Sequence, residues 1–270
     1  MKHLVALTVP SRLVIPIGSF TAAVLILKGF FPLAAFLPLA ILCVADSASS
    51  VLNSLSDVPS DGVNAPSRPL VKRLVSRKTS WLLFAFLALA SLISSFLVNS
   101  LFFIVVAARL FFELIYSTFQ AKRFFLINHV LVGVTYGIVP LVAACVFAGQ
   151  PFPSLFVYFV LLVVCLTPLK DVPDVEGDER SGVATLPVVV GEKITVVVVW
   201  LACFLLSSAF FLFGVLAIVP FTASLVFLSL FASGYSLILG KDKKRAYRSL
   251  LVVSSTVAGV IVEFFFAFLR

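Results

Sequence analysis

The chain keeps returning to apolar stretches about 20 residues long, as at 126–148 and 195–213, with polar connections between them. That is the length a helix needs to cross ~30 Å of hydrocarbon. A chain in lipid must satisfy its backbone internally, so runs this long form helices. A transmembrane barrel would show short alternating segments instead. About nine spans can be counted, at 13–27, 31–52, 81–98, 101–119, 126–148, 153–169, 195–213, 216–239 and 250–268. The expected fold is all-α, a polytopic membrane protein with nine transmembrane helices in a bundle, read as one domain over residues 1–270. Only 12% of the residues are charged, against about a quarter in a soluble domain.

The basic residues orient the bundle. With the N-terminus in the cytoplasm, the inside segments hold Lys2 and Arg12, then Arg68, Lys72, Arg73, Arg77 and Lys78, then Lys122 and Arg123. They also hold Lys170, Arg180 and Lys193, and finally Lys241, Lys243, Lys244, Arg245 and Arg248. Only Lys28 and Arg270 fall outside, and Arg109 lies within a span. This is the asymmetry of the positive-inside rule. The expected location is the cell membrane, with the N-terminus and the acidic loops cytoplasmic. The net charge of +8 thus follows from topology, and nucleic acid is not expected as a partner. Lys2 and Arg12 flank a short apolar start without a small-residue cleavage site, so the first span is expected to be retained.

Acids concentrate in two inside connections. The first continues from the second span, where Asp46, Ser50, Asn53 and Asp57 share one helical face and Asp61 extends it by a turn. The second is "LKDVPDVEGDERSGVATLPVVVG", where Asp171, Asp174 and Asp178 again share a face and Pro173 is tolerable only near a helix start. Carboxylates and an Asn carbonyl are hard ligands suited to Mg2+, which keeps waters and takes one or two carboxylates plus substrate phosphates. Two such helix ends could bridge a diphosphate through bound Mg2+. Like-charged carboxylates packed this closely repel unless a cation sits among them. Lys122 and Arg123 reach the same face, where cations would stabilise a leaving diphosphate. Cys43, Cys145, Cys165 and Cys203 stand alone in apolar runs without metal spacing, and His3 and His129 are far apart. They are read as small core residues and isolated histidines.

These motifs resemble those of the UbiA superfamily of intramembrane prenyltransferases. The family's N-D-x-x-D-x-x-x-D, then R-P-[LI], appears as Asn53, Ser54, Asp57 and Asp61, then Arg68-Pro69-Leu70. Its second D-x-x-D-x-x-x-D appears as Asp171, Asp174 and Asp178, followed by Gly182 and Thr185-Leu186-Pro187-Val188. Tyr116, Ser117, Lys122, Arg123, Asn128, Gly133 and Gly137 match the run between. Ser54 stands where the family often has Asp. Lys72-Arg73 replace a frequent Ser-Gly, and the first span keeps only Arg12 of the common Arg-Pro start.

The resemblance implies Mg2+-dependent transfer of a polyprenyl group from its diphosphate to a lipid-soluble acceptor. Metal would be held by Asn53, Asp57, Asp61, Asp171, Asp174 and Asp178, with Asp61 and Asp171 supporting ligation or positioning basic partners. Arg68, Tyr116, Lys122, Arg123, Asn128 and Lys170 would bind substrate. Asp57, Asp174 and Lys122 would carry the chemistry. Prenyl diphosphate, acceptor and membrane lipid are the expected partners. The Lys170–Glu192 stretch looks most like the archaeal members that join geranylgeranyl diphosphate to geranylgeranylglyceryl phosphate. Aromatic acceptors and a terpene cyclase remain alternatives. A CDP-alcohol phosphotransferase would need Asp57 and Asp61 one residue closer. A cation transporter would place its ligands nearer the midplane.

Asp46, Arg109, Glu113 and Glu263 fall within expected spans, and such residues usually face a bundle interior or wet cavity. Arg109 and Glu113 read as an i,i+4 pair. Asp46 is expected to line the acceptor cavity or to orient a basic neighbour.

Overall fold

The structure is a computed structural model and describes residues 2–119, 124–215 and 225–230. These residues are helical, without strands among them. They form two compact units: Met1–Pro153 together with Glu176–Thr185, and Ser154–Val175 together with the described residues from Leu186 onward.

The first unit opens with a short helix, α1 (Lys2–Leu7), and a 3-10 turn at Pro10–Leu13. The first apolar helix, α2 (Val14–Lys28), stops at Gly29, whose φ of 75° is a left-handed cap that glycine adopts without steric cost. The second, α3 (Phe36–Ser56), starts later than the expected 31–52. Pro32 is extended and a 3-10 turn at Leu33–Ala35 leads into the helix. From Ala48 to Leu55 every residue of α3 is buried, so this helix is central to the unit. It packs against α2, α5 (Arg77–Ser95) and α6 (Ser100–Ser117).

Its small residues permit this close packing. The hydroxyls of Ser49 and Ser54 donate to the Ala45 and Ser50 carbonyls one turn back, at 3.0 and 2.9 Å, so polar groups are satisfied without leaving the helix. Side-chain caps begin α5 and α6. Ser76 Oγ accepts from Thr79 N at 3.0 Å and Asn99 Oδ1 from Phe102 N at 2.8 Å. The outer face of α5 exposes Trp81, Leu82, Phe86, Leu89 and Ile93, an apolar stripe suited to lipid.

Two expected elements differ. The helix leaving α3 is not continuous to Asp61. It breaks at Asp57, and a second helix, α4 (Val58–Asn64), follows. Pro59 explains the break, since it has no N–H to give the Leu55 carbonyl and suits the first turn of a new helix. The expected span at 126–148 is helical, but not uniformly α. Between α7 (Phe125–Val132) and α8 (Val139–Ala148) the turn Gly133–Ile138 is π-helical, a local widening common where function needs a side chain re-aimed.

In the second unit α9 (Ser154–Asp171) carries Pro168 inside it and passes through a 3-10 turn, Val172–Asp174. The chain then enters α10 (Val175–Arg180), which leads into the first unit. The second unit resumes with α11 (Leu186–Val190) and α12 (Glu192–Leu212). Its core joins Leu169 and Val172 to Val196, Val199, Cys203, Phe227 and Leu228. Tyr158 and Ser207 hydroxyls meet at 2.9 Å between α9 and α12.

By length and composition, six helices among the described residues can cross a membrane, and α2 is a shorter apolar helix. The chain is thus a helical, multi-pass membrane protein. The expected spans at 216–239 and 250–268 lie largely outside the described residues, where only 225–230 is seen, as helix.

Candidate functional site

The first acidic segment keeps its helical hydrogen bonding despite the break. Asp57 N–H donates to the Asn53 carbonyl at 2.9 Å, and Asp61 N–H to the Asp57 carbonyl at 2.7 Å. Helical hydrogen bonding therefore passes through Asp57, and the Asn53, Asp57, Asp61 stripe survives the change of helix. Asn53 and Asp61 are buried, and Asp57 is half-buried. Beyond α4 the chain curls through turns in which Arg68 N–H donates to the Ala65 carbonyl. This returns the Arg68 guanidinium to Asp61, where Nη1 donates to Oδ2. Ser54 is buried.

The second segment is divided between the units. In the second unit Asp171 is buried and paired with Lys170 Nζ at 3.2 Å, and Asp174 closes the 3-10 turn, half-buried. In the first unit Asp178 is half-buried beside Gly177, which meets the end of α4. Gly177 N–H donates to Asn64 Oδ1 at 3.1 Å. Glu176 and Arg180 pair at 2.7 Å on the exposed side.

Other expected residues fall as follows. Tyr116 sits half-buried in the last turn of α6, and Asn128 is buried in α7. Lys122 and Arg123 lie outside the described residues. Below the acidic stripe, Asp46 does what one expectation allowed and orients a basic neighbour. Arg109 Nε donates to Asp46 Oδ1 at 2.9 Å, and Arg109 Nη1 to Glu113 Oε2 at 3.1 Å. Ser117 Oγ donates to Glu113 Oε1 at 2.6 Å. The guanidinium lies 5.1 Å from the centre of the Tyr136 ring, which the π turn supplies.

Arg12 joins this neighbourhood from the chain's start. Burial alone would lower its pKa, yet Tyr136, Glu113, Tyr116 and Asp61 together hold it above the ordinary guanidinium value. It therefore carries a fixed positive charge.

Sequence reasoning missed Asn64, Gly177 and Tyr136. Asn64 could have been found, because it continues the Asn53, Asp57, Asp61 stripe by three residues. Gly177 and Tyr136 carry no such signal, since a contact between distant segments and a π turn decide their positions.

The donor set can be tested against a hard divalent cation. Among the described residues no three His, Cys, Asp or Glu side chains approach closely enough to form a protein cage. Within the first unit the chain offers the oxygens of Asn53 and Asp57, four residues apart, with Asp61 beside Arg68; within the second it offers Asp174, with Asp171 beside Lys170. Such incomplete sets fit Mg2+, which completes its octahedron with water and phosphate oxygens.

The comparisons agree with this chemistry. The UbiA prenyltransferase family model matches residues 14–267. The digeranylgeranylglyceryl phosphate synthase of Thermococcus gammatolerans is 27% identical over 264 residues, covering 93% of this chain and 91% of that protein. The chloroplastic 2-acyl-4-prenylphloroglucinol 6-prenyltransferase of Humulus lupulus is 32% identical over 173 residues, 58% of this chain, but the match spans only 41% of that enzyme's length. In fold, the chain is similar to a UbiA homologue from Archaeoglobus fulgidus solved bound to GPP and Mg2+. Its TM-score is 0.76 at 16% identity, with 98% of each chain covered. With a family match across nearly its whole length, and with paired acidic segments on a helical membrane scaffold, this chain belongs to the UbiA prenyltransferase family.

Proposed function

We propose that this prenyltransferase moves a geranylgeranyl group from its diphosphate to a lipid-soluble acceptor, and that the acceptor is geranylgeranylglyceryl phosphate. One observation supports the reading above the others. Glu176–Thr185 belongs to the same compact unit as Met1–Pro153, so Asp178 shares a unit with Asn53, Asp57 and Asp61. A cation shared by the two acidic segments would offset the repulsion between carboxylates drawn toward one diphosphate.

In this reading Asn53, Asp57, Asp174 and Asp178 hold Mg2+, which when bound supplies positive charge against the leaving diphosphate. Arg68 pairs with Asp61 and holds it in place, and Lys170 pairs with Asp171. Tyr116, Lys122, Arg123 and Asn128 bind the diphosphate, and Lys122 stabilises the charge that develops on it. The allylic C–O bond breaks, and its electron pair leaves with the diphosphate. The acceptor hydroxyl then forms the new C–O bond and releases its proton. The tail stays in lipid while the headgroup meets the acidic segments, which face the cytoplasm. The ether-lipid acceptor is supported by the similarity to the Thermococcus gammatolerans synthase along nearly the whole chain.

The test is product mass spectrometry on detergent-solubilised protein supplied with geranylgeranyl diphosphate, Mg2+ and either geranylgeranylglyceryl phosphate or aromatic acids. A Mg2+-dependent digeranylgeranyl ether is the expected product. A prenylated aromatic would replace the acceptor, a cyclised hydrocarbon would point to a cyclase, and absence of diphosphate release from any prenyl length would end the reading.

A further inference from the structure

The contact between Asn64 and Gly177 is tighter than a hydrogen bond alone requires. A methyl group at Gly177 would collide with Cγ, Nδ2 and Oδ1 of Asn64. The glycine is therefore needed for close approach, its backbone lying against the flat amide of Asn64. Gly177 is in the first turn of α10, where a helix's N–H groups lack partners within the helix. Asn64 Oδ1 accepts from one of them at 3.1 Å. A residue 113 positions earlier in the chain thus does what a local capping side chain usually does.

The two ends of this contact lie within the acidic segments. Asn64 is the last residue of α4, three after Asp61, and Gly177 immediately precedes Asp178. We infer that Asn64 is a positioning residue: its amide latches α10 onto α4 and fixes where Asp178 stands relative to Asp57 and Asp61. The inference rests on the reading above for its consequence in catalysis, but the latch itself can be tested without substrate. Asn64 need not touch the diphosphate or the metal. It acts through the backbone of Gly177.

Arg180 is exposed at the end of α10, so tryptic cleavage after it reports how often α10 lifts away. In apo protein Asn64→Ala should speed this cleavage about fivefold, the scale of one lost hydrogen bond, with the melting temperature in detergent as the check on the bundle. The same variant should raise the Mg2+ concentration for half-maximal diphosphate release by about fivefold, with a smaller fall in kcat at saturating Mg2+. A purely structural lesion would instead lower kcat at every Mg2+ concentration. Gly177→Ala should be worse than Asn64→Ala, and Asn64→Ala/Gly177→Ala should recover toward Asn64→Ala because the added methyl then has room.

Unchanged cleavage after Arg180 in Asn64→Ala, or a Gly177→Ala defect that is the same with and without the Asn64 side chain, would overturn the latch. A wild-type protein that releases no diphosphate would overturn the prenyltransfer reading alone, because the cleavage result still decides the latch.

Discussion

Arg109 on α6 reaches a single carboxylate oxygen of Asp46 on α3 with two of its nitrogens, Nε at 2.9 Å and Nη2 at 2.7 Å. Both side chains are buried. The charges cross-link two neighbouring helices where water is scarce, and Glu113 shares the guanidinium. Asp46→Ala should destabilise the detergent-solubilised protein by about 3–5 kcal/mol, because it strands a buried guanidinium with less than its full countercharge. Asp46→Leu/Arg109→Met/Glu113→Gln should be closer to wild type than Arg109→Met alone, which strands two buried carboxylates. Thermal unfolding of the four proteins checks this. Unchanged turnover and stability in Asp46→Asn would show that the Asp46 charge is not needed.

Asp57→Ala and Asp174→Ala should each lower Mg2+-dependent diphosphate release by about 10²-fold or more, the scale of removing a group that stabilises developing charge. Chelation should do the same reversibly. Glu179→Gln, on the exposed side of α10, should stay within about twofold. Equal losses in all three variants would mean that general damage, not ligand loss, had been measured.

Arg68→Ala removes the cation that faces buried Asp61. The KM for the prenyl diphosphate should rise about tenfold, in line with loss of a hydrogen bond to a charged group. Arg68→Lys should restore only part, since an ammonium cannot reproduce a directional guanidinium contact. Steady-state kinetics at saturating Mg2+ separate the two variants.

Ser54 is buried, and its hydroxyl is spent on the Ser50 carbonyl. Ser54→Asp would bury a carboxylate where the family often carries one. Its melting temperature should fall in EDTA and recover on adding Mg2+ if the cation sits within reach. A fall that Mg2+ does not relieve would place the metal away from Ser54.

Much of the scaffold could be read directly from the chain, because a run such as 195–213 has few alternatives in lipid, and α12 (Glu192–Leu212) occupies it. Asp57 and Asp61 could be read as one stripe because i,i+4 spacing survives a helix break when the backbone bonds continue. The break itself was visible only as Pro59, whose effect depends on whether a new helix starts there. Pairings across the chain were of another kind. Nothing local in Asp46 names Arg109 as its partner, and nothing in "NAPSRPL" names Gly177. Such contacts are set by tertiary packing, which periodicity does not encode.

The Asn64–Gly177 contact also sets an order of assembly. The ribosome makes about 5–20 residues per second, so Gly177 emerges on the order of ten seconds after Asn64. During that interval α5 to α8 are made and reach the insertion machinery, while the stripe at Asn53, Asp57 and Asp61 still awaits α10. The first half of the protein therefore enters the membrane before its site can close. Any quality-control system that samples the nascent chain meets a bundle whose acidic end is still open.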